Sequence, residues 1–267
     1  MSEATKSAGL NYATYLEIEG LLDLQKPRSS PAEHDEMLFI IIHQVHELWF
    51  KEMLHELDLA GRNFRGGDLW GVVAALKRVR MILKTLVGQV DILETMTPES
   101  FESFRSRLDT SSGFQSMQFR EIEFKLGLKR AAVLDYMPEH LHGRDAALAR
   151  FNAPSLVDDF YHFLVTQGAD VPSAVLDRDP TSPMESSEVV EDLLEQLARN
   201  RPDMNMLFET MLDIDEGLQE WRYRHVQLVR RTIGDKTGTG GSPGVEYLKK
   251  TVYEPAFPDL WAIRARF

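Results

Sequence analysis

Residues 35–64 read DEMLFIIIHQVHELWFKEMLHELDLAGRNF. Within them Leu38, Ile41, Ile42, Val45, Leu48, Trp49, Met53 and Leu57 recur at intervals of three and four, the period of one helix face. The run predicts a long buried helix from Asp35 to about Phe64. From Leu69 to Met96 the pattern repeats with Val72, Val73, Leu76, Val79, Leu83, Leu86, Val87 and Val90, and it stops at Thr97-Pro98. Gly66-Gly67 turns the chain between the two, which predicts an antiparallel pair. A loop carrying Ser111-Ser112-Gly113 then precedes a shorter helix near Gln115 to Gly127, and helical patterns return after it. From about Gly168 to Ser187, Pro172, Pro180 and Pro183 stand among Ser, Thr and Asp, the composition of a surface loop. The last long helix runs from about Met204 to Ile233, with Leu218, Trp221, His225 and Val229 on one seam, and GDKTGTGGSPG follows at residues 234–244. No convincing run of alternating strands and no internal repeat interrupts this. The expected fold is all-α, a single-domain helical bundle over residues 1–267.

A chain of 267 residues, 43% of them hydrophobic, can bury a large core. Its net charge of −12, from 42 acidic and 30 basic side chains, repels phosphate backbones and anionic membrane surfaces. No Lys/Arg cluster reverses this locally, so nucleic acid is excluded as a partner. The N-terminal MSEATKSAGL lacks the apolar stretch of a signal peptide, and no later segment suits a bilayer span, so a cytoplasmic location without membrane contact is expected. The sequence has no cysteine. Disulfides, iron–sulfur ligation, a Cys nucleophile, thiolate-ligated haem and covalent C-x-x-C-H haem attachment are therefore excluded, and any metal must be held by His or carboxylate.

Stepping from Phe39 by four, three and four residues gives His43, His46 and Phe50, a second stripe displaced by about 100° from the Leu38 face. A lone histidine on such a face is more often a hydrogen-bonded core residue than a ligand, so His43 alone assigns no function. His225, in Trp221-Arg222-Tyr223-Arg224-His225, fits either a haem-iron ligand or a satisfied core histidine. Arg105 follows Phe101 and Phe104, and its guanidinium could grip a carboxylate in a bidentate fork or simply be solvated. Arg105-Ser106-Arg107 does not say which arginine points inward. The glycine-rich segment follows a helix rather than a strand and breaks the dinucleotide pattern at Pro243, which excludes nucleotide binding. It reads as a flap over a ligand, with hydroxyls from Thr237, Thr239 and Ser242, or as a flexible surface loop. Glu52-x-x-His55 has the spacing of a di-iron ligand pair, for which Asp159-x-x-His162 is the nearest second half.

Taken in order, several long motifs resemble the tryptophan 2,3-dioxygenase family from near the N-terminus almost to the end. They are Tyr12-Ala13-Thr14-Tyr15-Leu16, HDEMLFIIIHQVHELWFKEMLHEL at residues 34–57, FRSRLDTSSGFQSMQFREIE at 104–123, WRYRHV at 221–226 and GDKTGTGGSPG at 234–244. The resemblance implies a haem b enzyme, one haem per subunit, that cleaves the indole C2–C3 bond of L-tryptophan with O₂ to give N-formylkynurenine, the first step of the kynurenine pathway. It implies His225 as the proximal iron ligand and His43 as the distal histidine facing the indole N–H, a positioner rather than an obligatory base. Phe39 would line the indole pocket, with Phe101 standing where some members have Tyr. Arg105 would pair with the substrate carboxylate, and Thr239 with its ammonium group. In a homotetramer the N-terminal segment, residues 1–34, would bring Tyr12, Tyr15 and Leu16 to a neighbour's site. Val45-His46 and Pro243 fall where the family varies, and the region from about Ala131 to Arg199 matches least well and carries no implied site residue. The alternatives are a same-fold haem oxygenase acting on another indole, a haem sensor or carrier, and a di-iron carboxylate bundle. Arg105 and Thr239 together favour a free amino acid as substrate.

Overall fold

The computed structural model describes residues 9–234, 236, 238 and 245–267. Two short helices, α1 (Tyr12–Tyr15) and α2 (Ile18–Leu22), precede α3 (His34–Arg65) and α4 (Leu69–Leu93). Then come α5 (Pro98–Arg105), α6 (Met117–Lys125), α7 (Arg144–Asn152), α8 (Leu156–Thr166), α9 (Ser173–Leu176), α10 (Glu188–Asn200), α11 (Pro202–Ile233), α12 (Val245–Thr251) and α13 (Pro258–Ala262). Among the described residues there is no strand, and no helix is long and apolar enough to cross a membrane.

The predicted antiparallel pair is α3 and α4. Gly67 takes a positive φ of 73° in the turn, a conformation open to glycine at little cost, and the Asp68 side chain caps α4 by accepting from Gly71 N. α4 ends three residues before the predicted Met96. Thr97-Pro98 is a start as well as a stop: Thr97 accepts from Ser100 N as N-cap, and Pro98 occupies the first turn of α5. The sequence pattern does not announce that helix, which brings Phe101 and Phe104, three residues apart, into the interior. The predicted loop from Gly168 to Ser187 holds only the single turn of α9.

α11 packs along α4, and α8 along α3. The main core joins them through residues such as Leu57, Phe64, Leu76, Leu86, Phe160, Phe163, Phe208 and Leu218. Polar anchors reinforce it. Asp215 on α11 is buried and accepts from Ala256 N, Phe257 N and Trp261 Nε1, which ties the C-terminal segment to the bundle. Gly61 on α3 allows the Lys125–Asp159–Arg65 ion pairs to pass close by, since a Cβ there would lie 2.5 Å from Asp159 Oδ2. A second apolar cluster, Ile42, Val90, Leu93, Met96, Phe101, Phe104 and Leu228, closes the end of the bundle where α3 starts and α11 finishes.

Candidate active site

Residues of α3, α4, α6, α11 and α12 line a cavity of about 150 Å³. Apolar walls come from Ile42, Phe50, Val90, Leu93, Phe119, Trp221, Val226 and Leu228, and three imidazoles, His43, His46 and His225, also face it. His43 is exposed and His225 half-buried only because their rings open onto this space. The protein around them still withdraws water, and all three ring pKa values are lowered, first by desolvation.

The two α3 histidines are oriented by their own helix. His43 Nδ1 lies 2.7 Å from Phe39 O, and His46 Nδ1 lies 2.9 Å from Ile42 O. A carbonyl oxygen only accepts, so each Nδ1 carries the proton and each neutral ring keeps a lone pair on Nε2. His225 differs: its ring has no hydrogen-bond partner among the described residues. Burial, followed by His43, His46 and Arg120, pushes its pKa down to about 4, so at neutral pH it is an uncharged imidazole with a lone pair.

At one end of the cavity three arginines gather around a buried carboxylate. Glu123 is buried and accepts from Arg120, Arg130 and Arg222. Burial alone would raise its pKa, but the three guanidiniums bring it down to about 2. Arg130 also binds Glu254, and Arg222 donates to the Thr251 and Glu254 carbonyls. Arg120, Glu123 and Arg222 stand within the sequence motifs without a role there, and Arg130 lies outside them. A basic residue spaced to meet an acidic one across a fold leaves no periodic signal.

Next to His43, along α3, lies an aromatic group. Phe39 packs on the His43 ring at 4.1 Å between centroids, on Phe101 at 5.7 Å and on Phe104 at 5.6 Å. Arg105 ends α5 behind these rings, with its side chain 18% exposed and Nη1 3.6 Å from Glu102, whereas Arg107 is exposed. Arg105 is thus the less exposed of the two arginines, although its ion-pair partner Glu102 is itself exposed. Phe39 and, through it, Phe101 pack against the lining residue His43, but neither they nor Arg105 line the cavity. Tyr12, Tyr15 and Leu16 are 77%, 69% and 43% exposed on and after α1 and do not reach the cavity of their own chain. Thr239, with most of the glycine-rich segment, lies outside the described residues.

The di-iron alternative fails. Asp159 is taken by Lys125 and Arg65, His162 is exposed, and among the described residues no group of three His, Asp or Glu side chains could hold a metal ion. Haem fits the residues present. The uncharged His225 imidazole could donate a ring nitrogen to iron, the apolar walls could pack against a macrocycle, and three arginines against Glu123 and Glu254 would leave positive charge for the group's own carboxylates.

The family model for tryptophan 2,3-dioxygenase matches residues 1–144 and 193–267. The chain belongs to the tryptophan 2,3-dioxygenase family. It is 50% identical over 262 residues to a tryptophan 2,3-dioxygenase of Herpetosiphon aurantiacus, covering 97% of this chain and 99% of that one. It is 48% identical over 258 residues to that of Anaeromyxobacter dehalogenans, with 97% and 96% covered, and 42% identical over 260 residues to that of Caulobacter vibrioides, with 96% and 98% covered. The unmatched stretch of the family model, residues 145–192, lies within the region where the motifs matched least well. It builds most of α7, all of α8 and α9 and the start of α10, and none of its residues lines the cavity.

Proposed function

We propose that this chain is a haem-dependent tryptophan 2,3-dioxygenase that adds both atoms of O₂ across the indole C2–C3 bond of L-tryptophan and yields N-formylkynurenine. The observation that carries the reading is the pairing, in one apolar cavity of a family member, of an unpartnered neutral imidazole on α11 with an Nδ1-protonated imidazole on α3.

Haem b, one per subunit, would supply O₂ binding and the oxygen chemistry. His225 would hold it through a ring nitrogen, and Arg120, Arg130 and Arg222 would balance its carboxylates. His43 offers Nε2 as an acceptor for the indole N–H. The indole N–H is too weak an acid to need a base in the ground state, so His43 orients the ring. Phe39, packed on the His43 ring and backed by Phe101, would border the indole from beside the cavity and help exclude water. Arg105 holds the substrate carboxylate and Thr239 its ammonium group, which removes orientational freedom before bond formation. Together, Arg105 and Thr239 in these roles favour an amino acid over a simple indole. Residues 1–267 act as one unit in the cytoplasm. In a homotetramer the exposed apolar side chains of Tyr12, Tyr15 and Leu16 complete a neighbour's site, and residues 234–244 close over the substrate.

Haem stoichiometry and the Soret band of two variants test the assignment. His225→Ala loses stable haem, whereas His43→Ala keeps it and loses part of the activity. Full haem with an unchanged Soret band in His225→Ala would refute the ligand assignment.

A further inference from the structure

Trp221 has no part in the proposed reaction, yet it sits closest to the α11 imidazole in the way that matters for a ligand. It precedes His225 by four residues, so both rings project from consecutive turns of one helix face. They are stacked, with centroids 5.2 Å apart and planes 4° from parallel. Offset stacking at such separations is a favoured arrangement of flat rings. Other elements hold the indole in turn: Phe119 of α6 at 4.8 Å, and Phe50 and His46 of α3 at 6.0 Å and 6.3 Å. Trp221 is 8% exposed, and its Nε1 is buried without a hydrogen-bond partner, so packing alone fixes this ring.

Metal-binding imidazoles usually donate their second N–H to a carboxylate or carbonyl, which fixes the tautomer and the rotation of the ring. Among the described residues His225 meets no such acceptor. Some other contact must set its rotation, and the parallel indole is the one the structure provides.

We propose that Trp221 is the positioning residue of the axial imidazole, setting the rotation of the His225 ring by stacking in place of a hydrogen bond. The proposal rests on His225 being the iron ligand. The plane of an axial imidazole governs how the iron d orbitals split, so its rotation is visible spectroscopically in the haem-loaded protein without reference to turnover.

The test compares wild type with Trp221→Leu, Trp221→Phe and Phe119→Leu, all haem-loaded. The readouts are the Fe–His stretching band of the ferrous form by resonance Raman and the g-value spread of the ferric cyanide adduct by electron paramagnetic resonance. Trp221→Leu should shift and broaden the band and change the g spread, and Trp221→Phe, which keeps a flat ring, should restore most of the wild-type signature. If Trp221→Leu does not fold or hold haem, Phe119→Leu decides, because it loosens the far side of the indole and should give a smaller shift in the same direction. Wild-type spectra in Trp221→Leu, or in Phe119→Leu where that variant decides, would overturn the proposal and assign the orientation to a hydrogen bond, including one to water. So would a Trp221→Phe signature as displaced as that of Trp221→Leu. A His225→Ala control separates the two claims. If that variant keeps the Fe–His band, the ligand reading falls; if it loses the band while the Trp221 variants leave it unmoved, only the positioning role falls.

Discussion

Replacing Glu123 with glutamine keeps the shape of a buried side chain and removes the charge around which Arg120, Arg130 and Arg222 are gathered. The structure gives the size of the effect. The carboxyl is held at about 2 against an ordinary 4.5, a gap of roughly 2.5 units, and at 1.36 kcal/mol per unit this corresponds to about 3 kcal/mol. The sign follows from proton linkage. Because the folded-state pKa is depressed, the unfolded chain takes up the proton first as pH falls. The contribution is therefore whole above about 4.5 and is lost progressively towards about 2. The neutral amide would also leave buried guanidiniums without a counter-charge, and breaking a buried pair in this way costs on the order of 3–5 kcal/mol. Urea unfolding of wild type and Glu123→Gln, followed by circular dichroism at matched haem content, should show the variant less stable by about 3–5 kcal/mol at neutral pH. The difference should narrow on acidification. A difference below about 1 kcal/mol at neutral pH, or one that does not narrow, would mean that Glu123 is not the charge that gathers the three arginines.

Gly61→Leu should lower the thermal unfolding midpoint, since even a Cβ at this position would fall 2.5 Å from Asp159 Oδ2 and a larger side chain would have to displace the Lys125–Asp159–Arg65 ion pairs; an unchanged midpoint contradicts the close approach. Arg105→Ala should weaken L-tryptophan binding by about 2–5 kcal/mol in a haem spectral titration and leave tryptamine almost unaffected, whereas equal losses would show that Arg105 does not read the carboxylate. Mixed oligomers of a Tyr12→Ala chain and an Arg105→Ala chain should recover activity that neither parent has, because some sites would combine an intact N-terminal segment with an intact core. No recovery despite confirmed subunit exchange would refute sharing of the site.

The long helices are readable because burying one face imposes a period, and that period runs through α3, α4 and α11 over many turns. α5 is not, since eight residues carry little periodicity and Thr97-Pro98 serves equally as a helix stop and a helix start. At the site, His43 and His225 can be placed on apolar seams, but the seams do not say that the two rings share a cavity. That requires α3 and α11 to pack against the same neighbour, α4. The arginine cluster is least legible, because Arg120, Glu123, Arg130 and Arg222 meet only through tertiary packing. Arg105 differs from Arg107 in exposure because α5 ends at Arg105, a boundary that the sequence pattern does not mark.

The central claim is that this cavity places L-tryptophan so that both atoms of one O₂ enter the same product. Reducing the haem-loaded protein anaerobically, adding L-tryptophan and then ¹⁸O₂, and weighing the product by mass spectrometry tests this directly. The account predicts N-formylkynurenine carrying both labelled oxygen atoms. A singly labelled hydroxylated indole, or no product from protein with full haem, would contradict it.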